Sequence, residues 1–197
     1  MIRTYSLFCK IIHTKISSQS IFSSFMKDFN PALEVCPFCG SKHNCHPFAF
    51  YHRHLVDFIH GHISDSSIQI FRVQCSSCHH THAILPDVII PYASYSLFFI
   101  LRVISEYFLH LLSVDALCQK FHISHSLLYK WLDTFYKNKA LWLGALQNAE
   151  VTPISFILSL CRLSTFSSFS KQYFLLSDRS FLQSHTHSPT LFHLVSP

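Results

Sequence analysis

The chain has 197 residues, of which 49% are hydrophobic and 13% are charged, so it carries ample apolar side chain for the core of one domain or two small ones. Its net charge of +5, from 15 Lys and Arg against 10 Asp and Glu, is too small to identify a polyanion-binding protein by charge alone. Eight cysteines would suit a secreted disulfide protein, but four of them form two Cys-x-x-Cys pairs, a spacing typical of zinc sites in a reducing compartment.

Residues 1–33 predict an extension that lacks fixed structure. The first 25 are Ser-rich and basic without an acidic residue, as in targeting peptides, yet they contain no compact apolar segment with a small-residue cleavage site. A start of translation at Met26, or a dispensable extension, explains this composition more simply than a secretory signal.

Residues 34–86 predict a zinc ribbon built on a β-hairpin. The stretches 48–56 and 67–75 are rich in aromatic and β-branched residues and predict two strands, separated by the turn-prone segment 60–67. A cysteine pair stands at each end of this hairpin, so pairing of the strands would bring the two pairs together.

Cys36 and Cys39 form the first pair, and Cys75 and Cys78 form the second. A tight turn around each pair makes a zinc knuckle, and two knuckles supply the four thiolates of a tetrahedral Zn²⁺ site. Because four thiolates leave no open position for water, we expect the zinc to be structural and the protein not to be an enzyme. A zinc deaminase is further disfavoured because no glutamate accompanies the histidines of this region.

Alternative metal ligands lie close to the two pairs, and any one of them could replace a cysteine. These candidates are Cys45, His43, His46, His79, His80 and His82. We expect them to be solvated side chains or hydrogen-bond donors to the ligands, because the four thiolates already form a complete set.

The segment 85–92 predicts a linker stiffened by two prolines, and a helix follows from about 93 to 112 with apolar residues at three- and four-residue steps. This is the most apolar part of the chain, but Arg102 and Glu106 interrupt it and can pair one helical turn apart. We therefore expect a buried helix of a cytoplasmic protein, with no membrane partner.

The helical region 93–139 also contains a candidate helix-turn-helix. Ser113 and Ser124 are placed to cap two helices joined by a tight turn. His122 stands at the turn position that usually carries glycine, and histidine tolerates a positive φ better than branched residues do.

In a DNA-binding helix-turn-helix, the second helix lies in the major groove. The outward residues that would contact DNA are Ser124, His125, Ser126, Tyr129 and Lys130. Three further lysines are placed to meet phosphates, namely Lys120, Lys137 and Lys139. The alternative is an ordinary helical hairpin with a solvated polar face.

Three motifs resemble an uncharacterised bacterial domain family: CPFCGS at 36–41, YHRHL at 51–55 and RVQCSSCHHTHAILPDVIIPY at 72–92. That family carries CPxCGS, a Tyr-x-Arg motif and RVxCxxCxxTHALLPxxxxPY, and its members look like the zinc-ribbon and helix-turn-helix front end of insertion-sequence transposases. The resemblance covers about residues 34–136. It implies that the four cysteines are zinc ligands, with a structural signature formed by Thr81, His82 and Pro86.

The resemblance does not supply a catalytic half. A transposase nuclease core needs three carboxylates that hold two metal ions, and beyond Asp133 the chain has only Glu150 and Asp178. Residues 140–197 are Phe- and Ser-rich, and their structure is not predicted apart from one helix near 153–163.

The sequence thus predicts an α+β protein, with a small zinc-ribbon β-hairpin domain followed by an α-helical helix-turn-helix region. Its expected function is non-catalytic DNA binding related to mobile elements, with DNA as partner and a separate transposase or nuclease subunit as the source of catalysis. The alternatives are a zinc-stabilised protein-protein interaction module and a truncated transposase remnant. The oligomeric state is left open.

Overall fold

The chain was analysed as a computed structural model, which describes residues 2–5, 23–24, 26–86, 89–146, 151–160, 163–177 and 179–183. Most of the extension expected at 1–33 lies outside these residues. The described part has a sheet with three antiparallel strands, followed by six helices, which confirms the α+β fold class. The domain boundaries drawn from the sequence stay a prediction.

A long hairpin dominates the sheet. Strand β2 (Cys45–Ile59) pairs with β3 (His62–Cys75) from end to end, with one β-bulge between Pro47 and Ala49. The turn between them has only two residues, His60 with φ +51° and Gly61 with φ +86°, as a type I′ turn requires. The sequence predicts a wider turn at 60–67, and this prediction is wrong. The strands are already paired at Ile59 and His62, so the turn consists of His60 and Gly61 alone.

Two more strands complete the sheet on the far side of β3. Strand β4 (Thr81–Pro86) is antiparallel to β3, and β1 (Ile2–Tyr5) is parallel to β4, giving the order β1-β4-β3-β2. The linker expected at 85–92 thus overlaps the end of a strand, since Pro86 is the last residue of β4.

The chain between sheet and helices is held against β2. Val56 N–H donates to the carbonyl of Ser94 at 2.7 Å, and Ser96 N–H donates to the carbonyl of Val56 at 2.9 Å. Arg53, whose burial lowers its pKa, donates to the carbonyl of Ile90 at 2.6 Å and also to that of Ala93. The arginine of the Tyr-x-Arg motif therefore fixes the path of this linker.

Ser96 sets the start of the first helix. Its Oγ accepts a hydrogen bond from Phe99 N–H at 3.0 Å and donates to Asp57 Oδ1 at 2.8 Å, so the helix cap is tied to β2. Because residues 94–96 run beside β2 in extended conformation, the helix cannot begin at 93 as expected from the sequence. The observed helix is shorter at both ends.

The helices follow one another with short connections. Their bounds are α1 Leu97–Phe108, α2 Val114–Phe121, α3 His125–Lys137, α4 Lys139–Leu146, α5 Pro153–Leu160 and α6 Leu163–Ser177. The predicted caps at Ser113 and Ser124 are confirmed, since each Oγ accepts from the backbone N–H three residues on. Helices α4 and α6 were not predicted. Within the described residues, no helix combines the length and apolarity needed to cross a bilayer.

One hydrophobic core connects the sheet to the helices. It includes a stack of aromatic rings in which Trp142 lies 4.5 Å from Phe156, with 6° between the ring planes, and 5.3 Å from Phe135. Trp142 Nε1 also donates to the carbonyl of Phe135 at 3.1 Å. Helices α3, α4 and α5 therefore share one buried cluster.

Candidate metal centre and helix-turn-helix surface

The first cysteine pair lies in a tight turn before β2. Cys36 N–H donates to the carbonyl of Ser41 at 2.9 Å, and Gly40 N–H donates back to the carbonyl of Cys36 at 2.9 Å. Gly40 has φ +73°, a left-handed conformation that glycine adopts without strain. This geometry turns both thiols of the pair to the same side.

The second cysteine pair repeats this turn at the end of β3. Cys75 N–H donates to the carbonyl of His80 at 3.0 Å, and His79 N–H donates to the carbonyl of Cys75 at 2.8 Å. His79 occupies the position equivalent to Gly40 and is also left-handed, with φ +59°. The two knuckles therefore have the same backbone hydrogen bonds at the same spacing.

The four thiols of the knuckles meet at one point. The Sγ atoms of Cys36 and Cys78 are 3.7 Å apart, as are those of Cys39 and Cys75, and all four atoms lie within 4.8 Å of one another. A tetrahedron with zinc–sulfur distances of about 2.3 Å has edges of about 3.8 Å. The cluster is thus of the right size to hold a metal ion.

The thiols are too close to ionise independently. Burial acts to raise the pKa of Cys75, but the N–H groups of Cys78 and Ser77 and the thiols of the first knuckle lower it to about 6. For Cys78, the N–H of His80 acts to lower the pKa, whereas burial and the three other thiols raise it to about 12. The four thiols therefore lose their protons as a coupled group, the first more easily and the last less easily than an isolated cysteine.

The alternative ligands lie beside the cluster but do not join it. Among the residues that the structure describes, the cluster contains the four predicted cysteines. Cys45 is buried opposite Cys75 in the hairpin register. His43 Nδ1 lies 3.0 Å from the carbonyl of Ala32, and His46 Nδ1 lies 3.1 Å from Ser76 Oγ.

His82 contacts one of the four thiols directly. It is 1% exposed, and its Nε2 lies 3.4 Å from Sγ of Cys36. An N–H at this position donates to the sulfur, which orients the thiolate and spreads its charge. The contact agrees with the expectation of a donor beside the ligands, and it gives a reason for the histidine in the Thr-His motif.

Polar and aromatic contacts that the sequence did not predict join the two knuckles. Ser41 Oγ and Ser77 Oγ are 2.9 Å apart, and Asn44 Nδ2 donates to Ser77 Oγ at 3.0 Å. The rings of Phe38 and His80 stack at 3.6 Å with 20° between their planes. A hint in the sequence is positional: Phe38 and Ser77 stand two residues after the first cysteine of their pairs, and Ser41 and His80 stand five residues after it.

The turn between α2 and α3 has the predicted features. His122 is left-handed, with φ +48° and ψ +45°, and ends α2. Ile123 N–H donates to the carbonyl of Cys118 at 3.0 Å, and Ser124 then caps α3. The apolar residues on the inner sides of the two helices and of the turn are buried: Leu117, Cys118, Phe121, Ile123, Leu128 and Trp131.

All five predicted DNA-contacting residues are exposed along the outer side of α3. Tyr129 is 51% exposed, and Lys130 makes no ion pair with any described residue. His125 Nε2 lies 2.7 Å from Asp115 Oδ1 of α2. Ser126 is exposed, and Ser124 uses its Oγ in the helix cap.

The three lysines predicted to meet phosphates differ in their surroundings. Lys120 donates to both carboxylate oxygens of Glu106, at 2.7 and 2.9 Å. Lys137 pairs with Asp133 at 2.7 Å, one turn away on α3, and Lys139 is exposed at the start of α4. Lys120 is thus engaged within the fold.

Fold and site together define an α+β protein with a four-cysteine cluster that can hold a metal ion. Residues 36–131 match the family model described as Domain of unknown function (DUF6431), so the similarity runs from the first clustered cysteine to Trp131 in α3. It covers both the cysteine cluster and the turn between α2 and α3. Searches of curated proteins and of solved structures give no significant match.

Proposed function

We propose that this chain is a non-catalytic DNA-binding protein in which a structural Zn²⁺ fixes the hairpin and α3 enters the major groove. The observation that carries the proposal is the exposed row of polar side chains on the outer side of α3. There, residues able to donate and accept hydrogen bonds follow directly after a tight left-handed turn. Helices in this arrangement place their N-terminal residues against base edges.

Zinc is the proposed ion because the cluster has four thiolate ligands at tetrahedral spacing. Four thiolates close the coordination sphere, so no position remains for a water or substrate, and the proposed role is structural. The apolar cluster around the knuckles is small, comprising Cys36, Cys45, Val73, Cys75 and Ile84. A bound metal would supply the stability that so small a core lacks.

The chemistry of α3 suits a duplex. Lys130 offers a point charge for a phosphate, while Tyr129, His125 and Ser126 offer groups that hydrogen-bond to base edges or phosphate oxygens. Ser124 starts the helix, so the N-terminal N–H groups of α3 lie at the same end as these side chains. The N-terminal half of α3 is the part expected to contact bases.

The test is a binding titration of the zinc-loaded protein against a randomised duplex pool, repeated at several salt concentrations. Lys130→Ala should weaken binding on all sequences and reduce the salt slope by about 1, with Lys171→Ala on α6 as control. Tyr129→Ala should cost about tenfold in affinity for selected duplexes. Tyr136→Ala is the matched control, because Tyr136 is 49% exposed on the same side of α3, two turns toward its C-terminus.

Absence of duplex binding would favour the alternative, a zinc-stabilised protein-interaction module. The observation behind that alternative is the apolar segment between α1 and α2, where Leu109 and Leu112 are 40% exposed and Leu111 is 60% exposed. In that case the wild type should retain a protein partner at low and high salt alike, and Leu111→Glu should abolish that retention. Equal loss from Tyr129→Ala and Tyr136→Ala would also contradict groove binding by the N-terminal half of α3.

The proposed sites on DNA are the ends of a mobile element, with cleavage supplied by a separate nuclease subunit. Support comes from the motif resemblance at 36–41 and 72–92. Selection of genomic fragments by the purified protein should enrich inverted repeats that flank transposase genes. Enrichment of promoter fragments instead would indicate an operator-binding protein, and a truncated remnant would select no sites.

A further inference from the structure

The outer side of the hairpin carries an uncovered pair of aromatic rings. Phe50 of β2 and Phe71 of β3 are direct cross-strand partners, so their side chains lie on the same face of the sheet. They are 59% and 37% exposed. The ring of His52 lies on this face too, 6.0 Å from that of Phe50 and nearly perpendicular to it. We call these three residues the outer aromatic face.

A cleft of about 300 Å³ adjoins this face. The described residues that line it are Ser23, Met26, Lys27, Ser67, Ile68, Gln69 and Phe71. Phe71 is therefore both a cleft wall and half of the aromatic pair. Lys27 supplies the one charged side chain among these lining residues, and Gln69 supplies an amide. Asp65, the acidic residue of β3, is ion-paired with His54.

We propose that the outer aromatic face and its cleft bind unpaired bases of single-stranded nucleic acid. Aromatic side chains on an open strand surface provide stacking platforms that every base can use. The Gln69 amide can hydrogen-bond a base edge, and the Lys27 ammonium can neutralise a phosphate. A purely apolar partner would instead bury both of these polar groups without compensation.

This surface goes beyond the duplex binding proposed for α3 and uses different residues. The four-cysteine cluster lies at the open end of the same hairpin, where Cys45 and Cys75 are paired in register. A β-bulge between Pro47 and Ala49 separates this end from the aromatic pair, so a metal here holds the two strands together while the two-residue turn sets the register of Phe50 and Phe71. A protein with both surfaces would hold a duplex and an adjacent melted strand together.

The test measures fluorescence anisotropy of a labelled oligothymidylate strand with the full-length, zinc-loaded protein. Phe50→Ala and Phe71→Ala should each weaken strand binding about tenfold, and Phe50→Trp should retain it. Tyr51→Ala is the matched control, since Tyr51 is 40% exposed, adjacent in β2 and on the opposite face. Lys27→Ala should lower the affinity and its salt dependence.

Metal content and the unfolding midpoint of each variant are measured alongside, so that loss of fold is recognised. Strand affinity that is unchanged in Phe50→Ala and Phe71→Ala overturns the proposal, as does an equal loss in Tyr51→Ala. Failure of the wild-type protein to bind the oligothymidylate strand also overturns the proposal. That result would favour a protein partner for the outer aromatic face. Duplex binding through α3 is scored separately by Tyr129→Ala, so the two proposals fail independently.

Discussion

The ammonium of Lys120 lies 2.7 Å from Oε2 of Glu106, a carboxylate that is almost fully buried at the base of the helix-turn-helix. Arg102 donates to the other oxygen of Glu106 at 2.8 Å. The buried carboxylate of α1 therefore holds α2 through Lys120, while its pair with Arg102 lies within α1. The sequence predicts that Lys120 contacts a DNA phosphate. In the structure it fixes the position of α2, the helix that precedes α3.

Replacing Lys120 with methionine should lower the free energy of unfolding by about 1–2 kcal/mol, because Glu106 would keep only Arg102 as a partner while staying buried. Lys137→Met is the matched control. Its ion pair with Asp133 is exposed on both sides, so the expected loss is at most about 0.5 kcal/mol. Urea unfolding of the two variants checks this, and equal losses would contradict it.

Cys75→Ser should remove the metal. Three thiolates and a hydroxyl bind zinc far more weakly than four thiolates, so metal analysis after dialysis should give a full equivalent for wild type and little for the variant. Cys45→Ser is the control, because Cys45 is buried next to the cluster without belonging to it. Retention of zinc by Cys75→Ser together with its loss from Cys45→Ser would place the ligand set elsewhere.

His82→Phe should reduce zinc affinity about tenfold, since the ring keeps about the same volume but loses the nitrogen that lies 3.4 Å from Cys36 Sγ. Competition with a chromophoric chelator measures this affinity. His46→Ala serves for comparison, because His46 is exposed and contacts Ser76 rather than a thiol. A variant His82→Phe with wild-type zinc affinity would show that the contact does not act on the metal.

Trp142→Ala should lower the free energy of unfolding by about 3–5 kcal/mol, because it removes a fully buried ring from the stack with Phe135 and Phe156. Leu175→Ala on α6 is 68% exposed and should cost less than about 0.5 kcal/mol. Calorimetry should show the main transition shifted by Trp142→Ala. A main transition that does not move, with loss of a separate one, would mean that residues beyond 139 unfold independently.

The features predicted best from sequence are those that local chemistry determines. Each Cys-x-x-Cys forms its turn through hydrogen bonds within six residues, and Ser113 and Ser124 cap helices through the residue three positions on. The left-handed turn at His122 belongs to the same class. The stability of these turns and caps depends on residues nearby in the chain, so their hydrogen-bond partners can be identified from the sequence.

Features that depend on distant partners were missed. Strand β4 has only six residues, and its identity comes from pairing with β3 and β1. The first helix starts at Leu97 instead of 93 because Ser94 and Ser96 bond to Val56, about forty positions earlier in the chain. Helices α4 and α6 have weak amphipathic patterns, and each packs an aromatic ring on Phe156 of α5, Trp142 from α4 and Phe169 from α6.

By itself the sequence determined the two knuckles, their four cysteines and the pair of capped helices, because these rest on residue types at short, fixed spacings. Only the tertiary structure decided that the four Sγ atoms meet, that His82 turns toward Cys36, and that Lys120 binds Glu106. The physical reason is that such contacts join residues far apart in the chain. They form only when the hairpin register and the shared core have brought those residues together.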